Sequence, residues 1–221
     1  MSISIHIKEL FFPRKCILCK KLLSAEETDL CHTCRATAPE FIKPKRRINF
    51  VAQWTAMWYY KGDVRNSIHR FKFHNHRGYA DIYARHMAIV LQDTELADKA
   101  DVISWIPTSP WRRLTRGYDQ SQLLAEALGK ELHIPVIKAL RRIRNSPPQS
   151  ALHDAAQRRA NILNAYRPYM PEQYADKKIL LIDDIITTGS TASEAAKTLL
   201  IHGAKEVYLA AIAAAAHDKD K

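Results

Sequence analysis

One stretch of this chain combines the residue types needed to hold a phosphorylated sugar. Ile179-Leu-Leu-Ile-Asp-Asp-Ile-Ile-Thr-Thr-Gly-Ser-Thr191 is an apolar run, an adjacent pair of carboxylates and a hydroxyl-rich turn. The run reads as a buried strand, and ligands of open α/β sheets bind outside the carboxyl ends of strands. A helix starting at Ser190 offers unpaired N–H groups and a positive partial charge, which suit a phosphate. Gly189 lets the backbone approach closely, and Thr188, Ser190 and Thr191 add hydroxyl donors. Asp183 and Asp184 would repel that phosphate, so they face something neutral with hydroxyls. A ribose 5-phosphate meets both demands. A capping cluster between strand and helix has a similar composition, but it does not call for two adjacent acids. The strand also looks like the acidic strand of an ATPase, yet no Gly-x-x-x-x-Gly-Lys-Ser/Thr occurs anywhere in the chain, which removes that reading.

A second set is metal chemistry. All four cysteines fall within the first 34 residues, as Cys16-Ile-Leu-Cys19, eleven residues, then Cys31-His-Thr-Cys34. Two Cys-x-x-Cys knuckles can close on one tetrahedral Zn²⁺, with no coordination position left for water, so the site reads as structural. Disulfides are the rival, opposed by the expectation of a reducing cytoplasm. A segment this short needs the metal to fold.

The elements that must position these groups follow from periodicity. A polar stretch, Pro39 to Arg47, carries Lys43, Lys45, Arg46 and Arg47 and reads as a basic linker, either a solvated joint or a nucleic-acid contact. Asn49 to Tyr60 is expected as strand, and Val64, Ile68 and Phe71 mark a short helix. Tyr79 to Leu91 continues a helical stripe on which His86 reads as a core histidine. Val102 to Ile106 is a strand, residues 119–132 a helix, Pro135 to Leu140 another strand, and Arg141 to Ser150 a basic loop. A helix is expected from Asp154 to Leu163, then Lys178 to Asp183 as strand, Ser190 to Ile201 as helix and Glu206 to Ala214 as strand. Alternating helices and strands apolar on both faces predict a parallel sheet flanked by helices.

The chain has 221 residues and a formal charge of +11, which invites polyanionic partners. The excess is uneven: residues 171–221, which hold the acidic pair, are the one net-negative quarter. No apolar run reaches the roughly 18 residues of a membrane span. The start, MSISIHIKELFFPRKC, lacks a basic n-region and a small-residue cleavage site, so the expectation is a cytoplasmic protein.

Several segments carry a resemblance. The acidic loop is similar to the phosphoribosyl pyrophosphate (PRPP) motif of type I phosphoribosyltransferases. From Cys16 to about Ala214 the chain resembles the competence protein F (ComF/ComFC) family. The match runs through the double knuckle, Tyr59 to Phe73, Ile106 to Gln120, Arg144…Gln149-Ser-Ala-Leu152…Arg158-Arg-Ala-Asn161 and the acidic loop. It implies a type I phosphoribosyltransferase fold with a small N-terminal zinc module, and a role in natural transformation. The expected division is residues 1–47 for zinc module and basic linker, 48–216 for the phosphoribosyltransferase-like domain and 217–221 for a polar tail.

By that resemblance Asp183 and Asp184 hold the ribose hydroxyls, and PRPP is further bound by Ile185, Thr187, Thr188, Gly189, Ser190 and Thr191. Mg²⁺ arrives with PRPP. Arg112, Arg113 and Arg116, with Gln149 and Arg158, face the pyrophosphate, and Arg116 and Arg144 are the strongest cationic candidates for catalysis. The chain departs from the pattern twice. Asp119 stands where the family usually has Asn, and Thr187 stands where purine-salvage relatives carry an acid, so their general base is missing. Two functions follow: transfer of ribose 5-phosphate from PRPP to an unknown acceptor, or a non-catalytic PRPP-responsive adaptor that binds single-stranded DNA and other DNA-uptake proteins. Tyr59, Tyr60, Phe71, Phe73 and Trp111 are candidate base stackers for the second, with core packing as the alternative role of most.

Overall fold

The structure is a computed structural model that describes residues 13–73, 76–143 and 164–216. Its centre is a parallel sheet built from β1 (Gln53–Tyr59), β2 (Val102–Trp105), β5 (Lys178–Ile186) and β6 (Glu206–Ala214). They lie in the order β1-β6-β5-β2. Register places Ile182 of β5 opposite Ala210 of β6 and Trp105 of β2. Helices α2 (Gly62–Phe73), α3 (Tyr79–Asp93), the short α4 (Leu96–Lys99) and α6 (Gln120–Leu132) cover one face, and α7 (Ser190–Ile201) covers the other.

Strand alternation explains the two layers. Leu180 and Ile182 join Phe71, Tyr83 and Leu124 in one core, whereas Ile179 and Leu181 join Ala195 and Leu199 in a second. Side chains of successive strand residues point to opposite faces, so an unbroken apolar run is what a sheet covered on both sides requires. All of Ile179 to Ile182 are fully buried.

The expected helices at Val64–Phe71, Tyr79–Leu91 and Ser190–Ile201, and the strand Glu206–Ala214, are present. Three expectations need correction. The first strand starts only at Gln53. The strand expected from Pro135 to Leu140 is a single bridge, Val136 to Ile103, after which the chain leaves the sheet. There β3 (Leu140–Arg142) pairs antiparallel with β4 (Tyr166–Pro168) as a separate ribbon, so Arg141 and Arg142 are strand residues rather than loop. Finally, β5 runs on to Ile186, because its pairing with β6 continues through Ile186 and Ala214. The acidic pair therefore sits within the strand. The helix expected from Asp154 to Leu163 lies outside the described residues.

The cysteine segment is packed onto this body. Ile17, Leu18, Cys16, Cys31 and Cys34 belong to the same apolar cluster as α2 and α3. Ser67 Oγ donates to the Ile17 carbonyl at 2.6 Å, and Arg70 donates to the Ile17 and Leu18 carbonyls at 2.8 and 2.6 Å. Asp29 pairs with Arg85 at 2.8 Å. The following segment runs along β1, with Phe41 N–H donating to the Met57 carbonyl and Tyr59 N–H to that of Pro39.

Candidate phosphosugar site and cysteine cluster

At the carboxyl ends of β2 and β5 lies a cavity of about 420 Å³, the size range of small-molecule sites. Its floor is the end of β5, where Asp183 and Asp184 enter the cavity lining. The Asp183 carboxylate accepts from the Asp184 backbone N–H at 2.8 Å and from Ser121 Oγ at 3.3 Å. Burial, followed by the neighbouring charge of Asp184, pushes Asp183 up to about 8. Asp184 is held differently, by Lys72 Nζ of α2 at 2.8 Å. Two adjacent acids in one low-dielectric cleft cannot both ionise cheaply, which is why the Asp184 charge adds to the burial that raises Asp183.

Beyond β5, Thr187, Gly189 and Thr191 line the cavity, leading into α7. Gly189 has φ +78, a conformation that side chains resist, and it places the first turn of α7 at the cavity edge. Thr188 and Ser190 lie outside the lining and bond one another, Oγ1 to Oγ at 2.9 Å. Thr187 and Thr191 thus stand at the cavity, while Thr188 Oγ1 also accepts from the Ser190 N–H at 3.3 Å.

The opposite wall is cationic. After β2, Ser109 caps the short helix α5 (Pro110–Arg116) by accepting from Arg112 N–H, and Gly117, at φ +76, ends it. That geometry brings Arg112 and Arg116 into the lining and leaves Arg113 exposed outside it. Arg116 donates to Gln120 Oε1 at 3.0 Å and lies 4.6 Å over the Phe73 ring. Burial, followed by the charges of Arg116 and Arg142, lowers the Arg112 pKa. An incoming anion would relieve that crowding. Arg142 joins the same wall from β3.

Asp119 ties the wall to its helix. Buried at the start of α6, it accepts from Thr108 N–H at 2.8 Å and Gln122 N–H at 3.4 Å. Burial raises its pKa, and these donors partly offset that.

Apart from the cavity, the four cysteines Cys16, Cys19, Cys31 and Cys34 form a cluster of their own. Their sulfurs all lie within 4.8 Å of one another, and Cys19 Sγ is 3.6 Å from Cys31 Sγ. Tetrahedral Zn–S bonds of about 2.3 Å put sulfurs roughly 3.8 Å apart, so the donor set fits a zinc-type ion. Cys31 caps α1 (His32–Thr37) and accepts from Cys34 N–H. Burial, then the neighbouring sulfurs, pushes the Cys34 thiol up. Cys16 also suffers desolvation, but N–H donors at Cys19, Cys31 and Leu18 bring it down to about 7. His86 lies apart from the cluster, 3.6 Å from Asp29, with its pKa lowered by burial.

Comparison with known proteins agrees with this geometry. The phosphoribosyl transferase domain model matches residues 116–221. Competence protein F of Haemophilus influenzae is 27% identical over 227 residues, covering 93% of this chain and 99% of that protein. Over nearly its whole length the chain is similar to competence protein F. DNA utilization protein YhgH of Escherichia coli O157:H7 is 33% identical over 146 residues, 64% of this chain and 63% of that protein. Competence protein ComFC of Bacillus subtilis is 28% identical over 148 residues, 67% of this chain and 58% of that protein. The match to the latter two thus spans under two thirds of their length.

The structure brings Asp183, Asp184, Ile185, Thr187, Gly189, Thr191, Arg112 and Arg116 around one cavity. Arg144, Gln149 and Arg158 lie outside the described residues. Sequence reasoning assigned no site role to Lys72, Ser121 or His69, which also line the cavity, and it named Tyr60, another lining residue, only as a base stacker. The available signal was the family-like stretch from Tyr59 to Phe73, which contains His69 and Lys72. Of the aromatics, Phe71 is core, whereas Phe73 and Trp111 are 55% and 65% exposed. Among the described residues no helix is long and apolar enough to cross a membrane.

Proposed function

We propose that the cavity binds PRPP with Mg²⁺ and transfers its ribose 5-phosphate to an acceptor, releasing pyrophosphate. The observation that carries this reading is the arrangement of the acid pair, the turn before α7 and the Arg112–Arg116 wall around one 420 Å³ space. Asp183 and Asp184 accept the 2- and 3-hydroxyls, and their charge favours an oxocarbenium-like ring as the C1–pyrophosphate bond breaks. The turn from Thr187 to Thr191 binds the 5-phosphate, whose remote binding energy fixes C1. Arg112, Arg116 and Arg142 receive the departing pyrophosphate, joined by Arg144, Gln149 and Arg158 of the segment that follows β3. Mg²⁺ carried in with PRPP would add to the neutralisation of pyrophosphate charge that Arg112, Arg116 and Arg142 provide. With Thr187 in place of an acid, the acceptor is one that needs no carboxylate base at that position. Zn²⁺ held by Cys16, Cys19, Cys31 and Cys34 supplies folding energy to the N-terminal segment.

The test is pyrophosphate release from PRPP across bases, amines and nucleotides. Release with one acceptor class, abolished in Asp183→Ala/Asp184→Ala, supports transfer. Tight PRPP binding without release from any acceptor contradicts it.

A second reading is a PRPP-responsive adaptor in DNA uptake that contacts single-stranded DNA. It is favoured by the names of the relatives and by α5, which exposes Trp111 at 65% and Leu114 at 77% beside Arg113. Its signature is DNA affinity that falls steeply with salt.

A further inference from the structure

The basic run after the cysteine segment is not only a joint. Arg46 reaches across the molecule, and its guanidinium donates to the Thr187 carbonyl, 141 residues away in sequence. The Arg46 carbonyl in turn accepts from Trp54 Nε1 at 3.0 Å, and its guanidinium lies 5.8 Å from the centre of that ring. Two residues on, Ile48 is buried against Gly189. A Cβ added at Gly189 would stand 2.9 Å from Ile48 Cγ1 and 3.0 Å from Cδ1. Trp54, Ile48, Ile186 and Ala192 share one apolar cluster. The segment 46–48 is therefore a strap, fastened to β1 and pressed on both ends of the turn that precedes α7.

This matters because of what the turn lacks. Thr188 and Ser190 bond each other, while the Thr187 carbonyl and the left-handed Gly189 must be fixed from outside for the turn's N–H groups to converge. Preorganised donors bind an anion without the cost of ordering them on arrival. Arg46 also places a cation beside the turn, which no residue of β5 or α7 supplies.

We propose that Arg46 and Ile48 are positioning residues of the 5-phosphate turn, so that the N-terminal segment sets the affinity of the central site for phosphosugars. The inference rests on the ribose 5-phosphate reading of that site. Because the same strap joins the cysteine segment to the turn, sugar phosphate binding and the ordering of the strap are reciprocally linked.

The experiment titrates the full-length chain with ribose 5-phosphate and, separately, with Mg²⁺–pyrophosphate, for the wild type, Arg46→Ala and Arg46→Lys. Loss of one charge-assisted hydrogen bond and its preorganisation predicts about tenfold weaker ribose 5-phosphate binding in Arg46→Ala. Mg²⁺–pyrophosphate affinity stays at the wild-type value, and Arg46→Lys recovers part of the loss. Hydrogen exchange read on the peptide spanning residues 185–191 should quicken in Arg46→Ala without ligand. Equal loss for both ligands marks a general folding effect and overturns the proposal, as does no loss for either. Failure of the wild type to bind ribose 5-phosphate or PRPP overturns the phosphosugar reading itself, a distinct result from a silent Arg46 variant.

Discussion

Raising the pH from 7 to 9 should tighten PRPP binding, and Asp183 sets the size of the effect. Its carboxyl is pushed up from 3.8 to about 8, first by burial and then by the charge of Asp184. Before ligand arrives, that shift favours the protonated carboxyl at neutral pH. Accepting a sugar hydroxyl favours the carboxylate, so binding expels that proton. With a pKa near 8, about one molecule in eleven carries the Asp183 carboxylate at pH 7, and about ten in eleven at pH 9. The predicted gain is roughly tenfold in affinity, or about 1.4 kcal/mol. The window lies above the second ionisation of a phosphate monoester, near pH 6, so the ligand's own titration contributes little. Calorimetry in buffers of different ionisation enthalpy should also register close to one proton released per PRPP at pH 7. Asp183→Asn should flatten the profile. A flat wild-type profile, or a slope that survives Asp183→Asn, refutes the reasoning. Stability runs the opposite way. Between its ordinary value and about 8 the folded state keeps a proton that the unfolded chain has lost, so this group's contribution falls as pH rises through that window.

Other perturbations have defined outcomes. Lys72→Met removes the cation 2.8 Å from Asp184 and should cost about 1–2 kcal/mol in urea unfolding, less than a fully buried pair because water reaches both groups. Lys72→Arg should restore part of it, and equal losses in the two variants contradict the pairing. Asp119→Ala removes the cap of α6 and strands the Thr108 N–H, for about 2 kcal/mol, whereas Asp119→Asn should stay within about 1 kcal/mol. Gly189→Ala should lose ribose 5-phosphate binding while Mg²⁺–pyrophosphate still binds, because the methyl meets Ile48 in a left-handed turn. Stripping metal with a chelator should release one zinc per chain and expose the segment around Cys16–Cys34 to proteolysis; undiminished protection after metal loss contradicts a structural role.

Much of the frame is legible without coordinates because local signals and tertiary demands coincide. Ile179 to Ile182 is apolar on both faces, and Gly189 and Gly203 bracket α7. Asp119, read only as a departure from its family, is also the cap that starts α6. What stayed hidden depends on distant partners. Pro135 to Leu140 has strand composition, yet only Val136 finds a neighbour in the sheet before the chain turns away to meet β4. Lys72 looks like an ordinary helix-end cation until α2 packs and brings it to Asp184. Arg46 looks like one member of a solvated basic run, and nothing local to it predicts contact with Thr187. The site's neutral and acidic half was readable because it is contiguous; its cationic half comes from α2, α5 and β3, which only the fold assembles.

The central claim is that Asp183, Asp184 and the turn before α7 form a phosphosugar site. Titration of the wild type with PRPP in the presence and absence of Mg²⁺, beside Asp183→Asn/Asp184→Asn, tests it most directly. The account predicts one PRPP per chain, tighter with Mg²⁺, and at least about a hundredfold loss in the double variant from two charge-assisted contacts. Equal PRPP affinity in the wild type and the double variant would contradict it.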